Sequence, residues 1–111
     1  MGLGETSELL PGTLDLLILK TLVAGPQHGY GIAQRVKQLS ENVLDVGESS
    51  LYPALQRLLL KGWTKAAWGA SDNNRRARYY TLTPNGRKQL TVEREGFERL
   101  IVAIHKVLNA T

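Results

Sequence analysis

Apolar positions along the chain change period from segment to segment, and each period implies an element. From Leu14 to Ala24 the segment LDLLILKTLVA is apolar nearly all round, which predicts a central helix touched on several sides. Pro11-Gly12-Thr13 reads as the turn before it, with Thr13 as N-cap and Asp15 suited to the helix dipole. Gly25-Pro26 ends that helix. His28-Gly29-Tyr30-Gly31 opens a second, IAQRVKQLS, whose buried face is expected to carry Ile32, Ala33, Val36 and Leu39. Ser40 to Gly47 is a connector with a short extended piece around Val43 to Val46. A third helix follows, capped by Ser49 or Ser50, with Pro53 in its first turn and Gly62 as its stop. Its Leu51, Ala54, Leu55 and Leu58 fall at i, i+3, i+4 and i+7 on one face. Two runs rich in β-formers, Trp63 to Trp68 and Arg78 to Thr83, then flank the turn-rich stretch GASDNNRR and predict a hairpin. Thr83-Pro84 starts a last helix, from about Asn85 to Leu108.

Helix, connector, helix and basic hairpin, in that order, describe a winged helix-turn-helix. The expected fold class is therefore mainly α with a small β-hairpin. The expected division is a flexible tail over 1–10, a winged helix over 11–83 and a long C-terminal dimerisation helix over 84–111. The alternative for the third helix and hairpin is a surface element of any small α+β domain. The last helix would be roughly 36 Å long, against a body of about 80 residues only some 30 Å across. Phe97, Leu100, Ile104 and Val107 repeat along it in heptad spacing, and Ile101 and Leu108 widen the stripe. Such a stripe is expected to be covered by a second copy of itself in a two-fold dimer. The N-terminal helix is the alternative cover.

Composition narrows the functional classes. The chain has 111 residues, 42% hydrophobic and 22% charged, consistent with one folded domain. The longest apolar run, Leu100 to Ile104, is far too short to span a bilayer, and MGLGETSELL lacks the pattern of a signal peptide. The expected location is the cytoplasm. Cysteine is absent and the two histidines, His28 and His105, stand on different helices, so no metal or other cofactor is expected. No nucleophile sits beside a base and no phosphate-binding glycine loop is present, which sets enzymes aside. Gly29 and Gly31 fit close packing or a tight entry turn better than a dinucleotide fingerprint, and His28 fits packing or capping better than catalysis.

Charge adds more. Residues 57–88 hold Arg57, Lys61, Lys65, Arg75, Arg76, Arg78, Arg87 and Lys88 against Asp72 alone, a local +7 in a chain of net +4. One-sided clustering is the footprint of a polyanion partner. The face of the third helix opposite its apolar stripe carries Ser49, Tyr52, Pro53 and Gln56, all able to bond or make flat contacts and none acidic. Candidate contacts with double-stranded DNA are therefore Ser49, Ser50, Tyr52, Pro53 and Gln56 on the helix. Arg57 and Lys61 at its end and Arg75, Arg76 and Arg78 on the wing complete the set. Arg75 and Arg76 are expected near the hairpin tip, where arginine suits phosphates or a narrow minor groove. A winged-helix module for protein contacts, or a ligand-binding scaffold, is the alternative reading. Trp63 and Trp68 differ by an odd number of positions, so one is expected in the core and the other partly exposed.

LPGTLDLLILKTL, HGYGIAQR, SSLYPALQRLLLKGW and NNRRARYYTLTPNGRKQL together closely resemble the PadR family of bacterial transcriptional regulators, over about residues 9–108. The chain is similar to the short subfamily with a single C-terminal helix. The resemblance implies a homodimeric winged-helix repressor on a pseudo-palindromic operator, with the third helix in the major groove, the wing on the backbone and the last helix forming the dimer. It further implies release by a small aromatic or hydrophobic effector. Leu59 and Ala67 depart from the pattern, standing where relatives usually have glutamate.

Overall fold

The computed structural model describes residues 12–111, so the expectations for the tail and for Pro11 lie outside it. Helix α1 (Thr13–Thr21) leads through a 3-10 turn (Leu22–Ala24) to strand β1 (Gln27–His28), then to α2 (Gly29–Leu39) and α3 (Glu48–Leu60). Strands β2 (Thr64–Ala70) and β3 (Arg76–Leu82) form the wing, and α4 (Pro84–Leu108) ends the chain. The sheet is antiparallel in the order β1-β3-β2.

The core lies where α1, α2 and α3 meet the sheet. Ile18, Leu19, Ile32, Ala54 and Leu58 have no solvent exposure, and Leu51 and Leu55 almost none. All four apolar positions of the i, i+3, i+4, i+7 pattern in α3 are thus buried. Leu39 is not, at 58% exposed, because it ends α2 beyond the reach of the core.

Several local expectations need correction. Gly12, in the left-handed region at φ 84, is the cap of α1, while Thr13 is buried as the first helical residue and makes no capping bond. A left-handed cap favours glycine, which has no Cβ to clash. Gly47 precedes α3, so Ser49 and Ser50 lie inside its first turn rather than capping it. Pro53 is accordingly the sixth helical residue and falls in the second turn. The amide it lacks would have bonded the Ser49 carbonyl, which is left for other donors on an exposed face. Residues 43–46 are extended only at an isolated bridge at Asp45, the chain having turned through left-handed Glu41 and Asn42.

Gly62 does stop α3. At φ 74 it donates its amide to the Leu59 carbonyl while the Trp63 amide reaches Leu58, the paired bonds of a Schellman turn. Thr83 does cap α4: its hydroxyl accepts from the Gly86 amide at 3.0 Å and donates to the Gly62 carbonyl at 2.8 Å. The two helix ends are thereby tied together at one corner.

The wing is longer than expected. Its strands run to Ala70 and from Arg76, leaving a loop of 71–75 with Asn74 in the left-handed region. Arg76 is therefore the first residue of β3, in the pair with Ala70 that closes the loop, and Arg75 is the last residue of the loop, so both lie near the hairpin tip. Gly69, a poor strand former, is tolerated because its missing Cβ leaves room for the Tyr79 ring, whose hydroxyl donates to the Ala70 carbonyl at 2.9 Å.

Helix α4, at 25 residues about 37 Å long, gives the molecule its extents of 57 × 32 × 21 Å. Gly12, Thr13 and Leu16 of α1 lie along Glu93, Gly96, Phe97 and Leu100 of α4. The N-terminal helix thus flanks the first half of the apolar stripe. Val107 and Leu108 extend past it, 76% and 71% exposed.

Candidate nucleic-acid interface

The face of α3 turned away from the core bears Ser49, Tyr52, Pro53 and Gln56, all exposed, with Ser50 half-buried beside them. Four of these five residues offer hydroxyl or amide groups and none carries charge, a composition suited to base edges rather than to phosphates alone. Tyr52 packs over Gly29 at the start of α2, where a Cβ would sit 3.3 Å from the tyrosine ring and hydroxyl. That close approach accounts for the glycine.

Opposite Tyr52 stands the wing. Strand β1 pairs Gln27 with Tyr80 and His28 with Tyr79, which brings the entry of α2 against β3. A cleft of 670 Å³ results, with His28, Tyr30 and Tyr52 on one wall and Trp68, Asp72, Arg76 and Arg78 on the other. The Arg76 guanidinium lies 4.8 Å from the centre of the Trp68 ring and that of Arg78 5.8 Å from Tyr80, so aromatic faces hold both cations in place. Trp68 is 61% exposed, whereas Trp63 is half-buried against the core, as their spacing implied. His28 caps α2, its Nδ1 accepting from the Gly31 amide at 3.0 Å. Tyr30, 69% exposed, accepts from Gln34 through its hydroxyl at 2.8 Å.

Of the candidate contacts, Tyr52, Arg76 and Arg78 line this cleft, and Ser49, Pro53 and Gln56 share the exposed α3 face. Arg75 is exposed in the wing loop. Two candidates stand apart. The Lys61 ammonium lies 4.5 Å from the Trp63 ring, nine residues and about 13 Å along the axis from Tyr52. Arg57 is bonded to Asp15, through Nη2 at 2.7 Å and Nε at 3.3 Å. Hydrogen bonding to Asp15 holds the guanidinium's proton above its ordinary affinity, outweighing the loss of hydration. Tyr30, His28 and Asp72 were missed as members of the cleft. An aromatic at the entry of α2 was the available signal, but only the β1–β3 pairing sets it opposite the wing.

The sequence pattern of the Transcriptional regulator PadR-like family matches residues 18–92, most of the chain. The chain belongs to this family. It is similar to the structure of a transcriptional regulator from Clostridium thermocellum, with 30% identity and a TM-score of 0.81 over 90% of this chain and 97% of that one. It is also similar to a PadR family transcription regulator from Clostridium difficile, at 28% identity and a TM-score of 0.73 over 88% of this chain and 100% of that one. An uncharacterized protein X of Lysinibacillus sphaericus is 29% identical over 85 residues, 77% of this chain and 78% of its own length. PadR-like proteins are transcriptional regulators with a winged helix-turn-helix, not enzymes, and this chain shares that fold. Among the described residues no helix is long and apolar enough to cross a membrane.

Proposed function

We propose that this PadR-like chain is a sequence-specific DNA-binding repressor acting as a homodimer, with α3 in the major groove and the wing along the backbone. The observation that carries the proposal is the pairing, across one cleft, of an uncharged hydrogen-bonding helix face with a wing whose arginines are held on aromatic rings. Base edges need the first and phosphates the second. A module for protein contacts has no need of the second. Dimerisation is supported by the part of the α4 stripe that runs beyond α1. Release by a small aromatic or hydrophobic effector belongs to the proposal on the strength of the family resemblance.

The test is selection of duplexes from a random library by the purified protein at physiological salt. An enriched inverted repeat with half-sites about one helical turn apart supports a dimeric specific regulator. Salt-sensitive binding without enrichment would reduce the protein to a non-specific binder, and no retention would favour protein contacts. Gln56, exposed at the middle of α3, is the residue proposed to read a base, since its amide can bond adenine at two points. Gln56→Ala is expected to change preference at one position of each half-site by roughly 1–3 kcal/mol, measured by titrating operator variants. An unchanged ranking of the variants would remove that assignment.

A further inference from the structure

Arg57 stands beside Gln56 on α3 and belongs by sequence to the basic cluster, yet two of its N–H donors are committed within the protein. Two of its nitrogens are engaged side-on by the two carboxylate oxygens of Asp15, from the first turn of α1, 42 residues away. The Asp15 side chain is only 10% exposed, while that of Arg57 is 51% exposed. A carboxylate so buried needs its partner, because withdrawing the cation leaves an unmatched charge in the protein. Moving Arg57 onto a phosphate would do that.

The pair also does something apolar packing cannot. Leu51, Ala54, Leu55 and Leu58 hold α3 to the core through contacts that have no preferred direction. A planar fork meeting a carboxylate at two points is directional. Arg57 follows Gln56 by one residue, about 100° around the helix, so fixing Arg57 fixes the roll of α3 and with it the aim of Gln56. Helix α1, which supplies Asp15, lies against α4 on its other side. The reading helix is thereby keyed to the frame of the molecule rather than to the DNA.

Resting on the DNA-binding reading above, we propose that Asp15 and Arg57 are a positioning pair that sets base specificity by fixing the orientation of α3, and that Arg57 gives up no hydrogen bond to phosphate. Arg75, exposed on the wing, serves as the comparison.

Binding of the variants is titrated on the duplex enriched by the wild type and on a scrambled duplex, each over a series of salt concentrations. Arg57→Ala is expected to leave the salt slope at the wild-type value while lowering the ratio of selected to scrambled affinity by about tenfold. Arg75→Ala is expected to do the reverse, flattening the log-log slope by about 2 per dimer, close to one unit per phosphate contact, with the ratio preserved. Asp15→Asn, at a residue away from the reading face, is expected to lower the ratio as Arg57→Ala does. Arg57→Lys, which keeps the charge but not the fork, is expected to behave like Arg57→Ala. If Arg57→Ala does not fold because Asp15 is left unmatched, D15N/R57Q removes both charges and carries the same expectation of a lower ratio at constant slope. A flattened slope for the Arg57 variants, or a ratio untouched by Asp15→Asn, overturns the proposal alone. Failure of the wild type to retain any duplex overturns the DNA-binding reading and this proposal together.

Discussion

Gly86→Ala is expected to cost the protein roughly 3 kcal/mol, more than a single substitution usually does, through one methyl group. A Cβ on Gly86 would fall on the Trp63 carbonyl oxygen and within 2.8 Å of Leu82 Cδ1. The obstacle is backbone, so no rotamer change relieves it. That carbonyl also accepts the Thr83 amide at 3.1 Å, and the neighbouring Gly62 carbonyl accepts the Thr83 hydroxyl. Relief requires α4 to lift from the α3–β2 corner, with loss of bonds worth about 1 kcal/mol each. The melting temperature should fall by about 10–20 °C, followed by circular dichroism. Gly96→Ala is the control, since among the described residues its Cβ would meet only Arg99 Nη2 at 3.9 Å. Alanine is the better helix former by about 1 kcal/mol, so that variant should melt no lower than the wild type. Equal melting of the two variants would mean that the corner is not the rigid joint described.

The second large effect concerns the proposed dimer. Ile104→Glu would set a carboxylate in the α4 stripe, past the segment that α1 flanks, and a two-fold axis would bring it near its own copy. The variant is expected to sediment as a monomer. Losing the linked second half-site should weaken binding to an inverted repeat by a factor of about 10² to 10⁴ while each half-site is still bound feebly and with salt sensitivity. The readouts are analytical ultracentrifugation and fluorescence anisotropy. A variant that stays dimeric and binds normally would show that another surface joins the copies.

Much of the fold was legible because the deciding forces are local. The apolar quartet of α3, the left-handed stop at Gly62 and the Thr83-Pro84 start depend on residues within a turn or two, and those features stand where the pattern put them. Less local competition went unseen. Thr13 is a fair cap on its own, but its side chain is buried and the chain bends at Gly12 instead. Strand β1 has two residues, too few for any period, and exists because β3 is there to pair with it. The extra length of the wing rests on Tyr79 covering Gly69 across the hairpin, a contact that propensity cannot anticipate.

The candidate interface divides the same way. The α3 face could be drawn from helical periodicity alone. Charge counting groups Arg57 with the other basic candidates, and a cluster of like charges does not announce which member also has a partner elsewhere. Its partner is Asp15, and only the packing of α1 on α3 reveals it. Tyr30 and His28 join the cleft for a comparable reason, since the sheet bridges a separation in sequence that no motif spans.

The strand order β1-β3-β2 has one further consequence. Among the described residues it leaves β2 at the edge of the sheet, with no strand on its outer side, beside an exposed Trp68. An edge of that kind invites another copy to add its own strand, the first step of aggregation. Two wings zipped edge to edge would have to bring Lys65, Arg75, Arg76 and Arg78 of both copies into one small volume. The same arginines that suit the wing to a polyanion therefore guard the free protein against itself, and the guard weakens as added salt screens like charges from one another.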